Sequence, residues 1–279
     1  MENILENKKS WVEKSGVFLT QVLILMICGS IYAANARMIG TDALSSSEYR
    51  HVTQEFDYLY MERETGYGME EQKATRYVEF REGVHAYFQE DYTEAMSKLR
   101  PLAETGYSSA QFYLALMYDQ GHGVIQNHAI AVKWYRKAAE QGHIDAQYNL
   151  GIAYASGQGV KKNIHTAIYW WKRAATYGSI DAQYNLGMVY TTGKGIMRNA
   201  MLAVKWWTKA ASKGDVAALF NLGVVYINGG DGVTQNLCEA SRLWKISAEQ
   251  GFNRAKTALR MLHSMQRYRA SCFDVTAKK

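Results

Sequence analysis

A glycine pair followed by lysines, seven histidines and seven tryptophans are the residues with which this chain could do chemistry. In AYASGQGVKKN (residues 153–163), Gly157 and Gly159 would let backbone N–H groups converge while Lys161 supplies charge, the makings of a phosphate cradle. His122, His128 and His143 come nearest to a metal cluster, but zinc needs three or four converging ligands and these positions do not form a ligand spacing. The tryptophans offer flat faces for a sugar or a base. No H-E-x-x-H, G-x-S-x-G, C-x-x-C or Walker lysine–serine pair occurs. The expectation is therefore no catalytic residue, no metal and no cofactor.

Self-similarity explains most of these residues. From Ala110 the chain reads AQFYLALMYDQGHGVIQNHAIAVKWYRKAAEQGHID, and similar stretches begin at Ala146, Ala182 and Ala218. Tyr118, Tyr154, Tyr190 and Tyr226 fall 36 residues apart, as do Gly121, Gly157, Gly193 and Gly229. The fourth copy carries one extra residue in NGGDGV. A fixed period of this length signals stacked units that bury their faces against one another.

Each unit reads as two helices. The first places Ala, Leu, a small residue and Tyr on one face, with Asp145 and Asp181 as candidate N-caps. The small residue is Ala115, Gly151, Gly187 or Gly223. Glycine inside a helix costs ~1 kcal/mol relative to alanine, so its recurrence predicts a close approach by a neighbouring helix. The second helix starts after Asn127, Asn163, Asn199 or Asn236 and carries an alanine, then paired aromatics such as Trp170-Trp171. Repetition of the tryptophans on the alanine face predicts core packing rather than a stacking site. Gly142, Gly178, Gly214 and Gly251 suit helix ends.

The A-x-x-x-L-G-x-x-Y run, the G-x-G-[VI] turn and the A-x-x-W-[WY]-x-K-A-A-x-x-G run resemble the SLR (Sel-one-like repeat) family of the tetratricopeptide superfamily. The resemblance implies an all-α fold, a right-handed α/α solenoid of tetratricopeptide-like helix pairs. Four repeats are assigned to 109–254. Residues 73–108 resemble a degenerate hairpin in which Pro101 should kink the second helix, and 255–279 a capping helix with a basic tail. As the first helix of a fifth unit, that cap would run antiparallel to the helix starting near Leu237 and bring Cys272 towards Cys238, a disulfide candidate; two free thiols are the alternative.

Residues 1–36 read as a signal peptide: a lysine-bearing leader, the apolar run VFLTQVLILMIC, then an A-x-A pattern predicting cleavage after Ala36. An uncleaved anchor over 17–34 is the alternative. Either way the chain is expected to be exported, with the periplasm as its compartment. An acidic extension (37–72) follows. Residues 37–108 hold 8 basic and 14 acidic side chains, whereas 109–279 hold 21 and 9. Cations recur on the second helices at 133, 205 and 242 and at 136, 172 and 245, as a solvated face or a basic stripe. Export argues against nucleic acid, and membrane contact is expected only through the leader.

In tetratricopeptide-like arrays the first helices line a concave groove. The resemblance thus implies a non-enzymatic scaffold that binds another protein there, one of acidic surface or a secreted effector. Candidate contacts are Tyr113, Asn149, Asn185 and Asn221, with Gln120, Ser156, Thr192 and Asn228 one face further on. The asparagines have a second reading as hydrogen-bonding partners of neighbouring backbone. An immunity protein neutralising a secreted antibacterial effector, such as a type VI secretion lipase, is an alternative function. A β-lactamase-like hydrolase is a weaker one, because cysteine-rich relatives with that activity carry cysteine pairs that this chain lacks. Gly157-Gln158-Gly159, whose spacing recurs at Gly121/Gly123 and Gly193/Gly195 and in stretched form at Gly229 to Gly232 while the lysine pair occurs in one unit, is expected to be a joint between helices.

Overall fold

The computed structural model describes residues 70–264 and Cys272. The leader, its cleavage point and residues 37–69 of the extension lie outside the described residues, as does the tail past Ser264 apart from Cys272. Residues 72–279 form a compact unit distinct from 1–71.

Eleven helices run through the described residues: α1 (Glu70–Phe88), α2 (Tyr92–Glu104), α3 (Ser108–Gln120), α4 (His128–Glu140), α5 (Ile144–Ser156), α6 (Ile164–Thr176), α7 (Ile180–Thr192), α8 (Ala200–Ala211), α9 (Val216–Asn228), α10 (Leu237–Glu249) and α11 (Asn253–Ser264). The only β pairing among the described residues is an isolated bridge, Gly230 to Val233, in the longer turn of the fourth unit. From α2 onward each helix packs on the next, and the strongest contacts are within the pairs α3/α4, α5/α6, α7/α8 and α9/α10. The expected α/α solenoid is the observed architecture.

Local chemistry sets the helix ends. Asn127, Asn163, Asn199 and Asn236 cap the second helices as expected, each side-chain oxygen accepting from an N–H two or three residues on. The first helices differ from expectation. Their caps are His143, Ser179 and Asp215, and Asp145 and Asp181 sit inside the first turn. Gly142 and Gly178 take positive φ, so the very next residue is already extended and the helix starts two positions early. The two carboxylates then complement the helix dipole instead of capping. Pro101 does not interrupt α2, which continues through it to Glu104.

The core of the second, third and fourth units is a glycine under an indole. Trp171, Trp207 and Trp244 lie against Gly151, Gly187 and Gly223, so closely that a β-carbon on any of these glycines would enter the ring. Each indole N–H donates to a carbonyl one turn away, Tyr148 (3.2 Å), Tyr184 (3.1 Å) or Phe220 (2.9 Å). In the first unit Ala115 occupies the glycine position and Tyr135 the tryptophan position, both buried. The predicted close approach is thus to the partner helix of the same unit.

At the far end α11 packs on α10, and Cys272 is bonded to Cys238 with Cα atoms 5.5 Å apart. Among the described residues no helix is long and apolar enough to cross a membrane.

Gly187→Ala should gain about 1 kcal/mol of helix propensity and lose more to overpacking, which costs ~1–3 kcal/mol. Calorimetry should show Tm lowered by roughly 2–6 °C. Trp207→Tyr in the same chain should recover part of that loss, as Ala115 tolerates Tyr135; a further drop would contradict the glycine–indole account. Reducing the disulfide, whose cysteines are 34 residues apart, should cost about 3–4 kcal/mol by chain entropy. Hydrogen exchange should accelerate first in α11, and unchanged protection there would show that the bond does not hold the cap.

Candidate functional site

The first helices present three parallel rows of side chains, one residue per unit in each. Spacings of three and four along α3, α5, α7 and α9 put these rows on one helix face. The first row is Tyr113, Asn149, Asn185 and Asn221; the third is Gln120, Ser156, Thr192 and Asn228. Between them runs a row missed in the sequence reading: Leu116, Ile152, Met188 and Val224. Ile152 and Met188 are 36% and 37% exposed, and Leu116 and Val224 half-buried. Its signal was an apolar residue three positions after each asparagine, hidden because every helix here is rich in apolar residues.

Tyr113 leaves the face. It is 4% exposed, and its ring packs edge-on against Phe80, Tyr87 and Phe88 of α1, at 5.9, 5.5 and 6.3 Å between centroids. The hairpin of α1 and α2 covers this end of the array, which sequence periodicity cannot reveal.

The asparagines are half-buried and bonded to tyrosines of the preceding unit. Asn221 Nδ2 donates to the Tyr184 hydroxyl at 3.2 Å, Asn185 pairs with Tyr148, and Asn149 with Tyr135. Burial raises the pKa of the Tyr148 hydroxyl, and the Asp181 charge adds to it. For Tyr135 burial again leads, followed by Asp119. Both tyrosines therefore stay protonated and can accept from an amide N–H. Asn221 hydrogen-bonds a side chain of the adjacent unit, and Asn185 and Asn149 act on tyrosine hydroxyls of theirs, rather than on the backbone.

In the third row Gln120, Ser156, Thr192 and Asn228 are all exposed. Ser156 and Thr192 bond back to the carbonyls of Ile152 and Met188 at 2.9 Å each, while Gln120 accepts from the Tyr87 hydroxyl at 3.2 Å. The sequence reading also passed over Gln111, Gln147 and Gln183. These are buried and each donates to a carbonyl eight residues back, Ala103, Ala139 or Ala175, at 3.0 Å. They lock three of the four first helices, α3, α5 and α7, onto the end of the helix before each.

The remaining candidates have structural partners. His128 Nδ1 lies 2.8 Å from Asp119, His122 stacks on Tyr92 at 4.5 Å, and His143 stacks on Phe112 at 4.6 Å. Among the described residues no group of three His, Cys, Asp or Glu could hold a metal. At the glycine pair, Gly159 abuts the His128 carbonyl of the preceding unit, and Asn163 already satisfies His165 N (3.0 Å) and Thr166 N (3.1 Å). The turn is a joint between units, with the helix N-terminus occupied.

Charge divides the array. The four first helices hold no Lys or Arg and three carboxylates, Asp119, Asp145 and Asp181. The four second helices hold nine Lys or Arg against three Glu.

The Sel1 repeat pattern matches residues 108–143, 144–179, 180–215 and 216–252, just over half of the chain. The chain belongs to the Sel1 repeat family. Two solved structures are each 34% identical to it: c5321, a protective antigen present in uropathogenic Escherichia coli strains, and a Sel1 repeat protein from Oxalobacter formigenes. The first has a TM-score of 0.65 over 72% of this chain, which spans only 45% of that protein. The second has a TM-score of 0.60 over 63% of this chain and 72% of its own. The immunity protein Pa5087 from Pseudomonas aeruginosa is 24% identical over 57% of this chain and 59% of its own, with a TM-score of 0.37. Comparison with curated proteins returns no match. Sel1 repeat proteins are generally interaction scaffolds.

Because Asn221 donates to Tyr184 across a seam between units, Asn221→Ala should destabilise the array by about 1 kcal/mol, near the mean worth of a hydrogen bond. The thermal midpoint should fall by roughly 2–4 °C, whereas Thr192→Ala, which removes only a bond within its own helix, should leave it unchanged.

Proposed function

We propose that this chain is a non-enzymatic, periplasmic scaffold that holds a partner protein along its first-helix face. One observation carries the reading: the first helices carry no cation and offer an aliphatic side chain once per unit, Leu116, Ile152, Met188 and Val224, between amides and small hydroxyls. A row of this kind suits a partner segment with regularly spaced apolar side chains and gives polar groups at its rim to fix register. The disulfide between Cys238 and Cys272 supports an oxidising compartment, in keeping with the leader read from residues 1–36. Acidity is not what this face would select in a partner, because the cations lie on the second helices.

A photo-cross-linking residue placed at Ile152 or Met188 in cells should give one specific adduct, lost when Ile152→Lys or Met188→Lys is added to the neighbouring position. The same residue at Lys133 or Lys245 should not give that adduct. Absence of any adduct from the first-helix face would move the site elsewhere. Identification of the adduct as a secreted hydrolase encoded beside this gene would make the protein its immunity partner.

A further inference from the structure

The cations of the second helices are arranged in a way that the first-helix face does not explain. Lys133, Arg136, Lys137, Lys172, Arg173, Lys205 and Lys209 lie on α4, α6 and α8, and the only carboxylate on those helices is Glu140. Among the described residues none of the seven has a carboxylate within ion-pair distance, whereas α10 pairs Arg242 with Glu239 at 2.6 Å. Three are seated one unit apart on the outer tryptophans: Lys137 over Trp134 at 4.1 Å, Arg173 over Trp170 at 5.3 Å and Lys209 over Trp206 at 4.9 Å. An indole face holds a cation in place without neutralising it.

Uncharged amphipathic groups stand among them. Tyr169 is 53% exposed at the position that Lys133 and Lys205 occupy in the flanking units, and Met201 is 57% exposed on α8. A protein of fixed shape would be met by paired, hydrogen-bonded charges. Cations on long stems that no carboxylate neutralises, mixed with an exposed tyrosine and methionine, suit a surface whose phosphates can move to meet them and whose interface accepts amphipathic rings.

We propose that the ridge formed by α4, α6 and α8 docks on an anionic lipid bilayer, with phosphate groups accepting from its lysines and arginines and with Tyr169 and Met201 at headgroup depth. This face is independent of the first-helix face, so the array can lie on a membrane while its other side holds a partner.

The full chain should be sedimented with vesicles of phosphatidylcholine and of phosphatidylcholine with phosphatidylglycerol. The ratio of the two partition coefficients cancels the apolar affinity of residues 1–36 for bilayers, and the comparison of variants, all of which carry the same residues 1–36, removes the rest. The ratio should be well above one at low salt and collapse at high salt. A cation near an anionic surface is worth roughly fivefold, so Lys133→Glu/Lys172→Glu/Lys205→Glu should lower the ratio by about a hundredfold or more. The variant Lys161→Glu/Lys162→Glu/Lys194→Glu changes net charge equally but lies in the turns between helices and should keep most of the ratio. Should the ridge variant melt early, Tyr169→Ser/Met201→Ser, which leaves every charge in place, should still lower partitioning. A ratio near one for the native chain, or equal loss in both triple variants, would overturn the proposal. So would binding of labelled polyglutamate to the ridge in the absence of any vesicle binding, which would assign the ridge to an acidic protein instead.

Discussion

The contact between a helix-interior glycine and the indole of the following helix sets the spacing within a unit, and the other interactions are registered on that spacing. A glycine there gives up about 1 kcal/mol of helix propensity. In return the ring of Trp171, Trp207 or Trp244 packs directly on the backbone, and its N–H reaches a carbonyl of the same first helix. The first unit shows that the two positions adjust together. With Ala115 in place of glycine the partner is Tyr135, whose hydroxyl turns to Asp119 at 3.4 Å and to Asn149 in the next unit. Altering the ring thus alters which polar groups meet at the seam.

Seams between units rest on polar ladders over an apolar base. Gln111, Gln147 and Gln183 hold α3, α5 and α7 to the end of the preceding helix, and Asn185 and Asn221 meet Tyr148 and Tyr184 of the preceding first helix. Arg100 and Arg136 donate to the hydroxyls of Tyr118 and Tyr154, at 3.0 and 2.7 Å, on the opposite side of the first helices from the candidate face. Buried amides need their partners at fixed geometry, so these ladders specify register where apolar packing alone would tolerate sliding.

The same alternation sorts charge. First helices are packed on both sides by neighbouring helices and leave only a narrow strip without cations to solvent. Second helices keep a wide exposed face, which lysine and arginine cover while their stems lie on tryptophan. One side of the array is therefore fitted for shape-selective contact and the other for long-range attraction to negative charge.

Much of this was readable from residues 109–254 alone. Repetition at 36 residues fixes which positions are equivalent, glycine and asparagine mark helix ends through their local backbone preferences, and alanine–tryptophan periodicity marks the buried face. Those effects act within a few residues of the chain or repeat along it, so sequence by itself determined the solenoid, the second-helix caps and the role of the Gly157–Gly159 turn as a joint. Tertiary structure decided the rest. Tyr113 looked equivalent to three asparagines until α1 was packed over it, and Asp145 looked like a cap until the turn at Gly142 let the next helix start two residues sooner, at Ile144. The partners of Asn149, Asn185 and Asn221, the aliphatic row between the polar ones and the separation of charge onto opposite helices depend on which residues of different units share a surface. Neighbours across a seam lie about one unit apart in sequence, and local preference carries no information about which of them will touch.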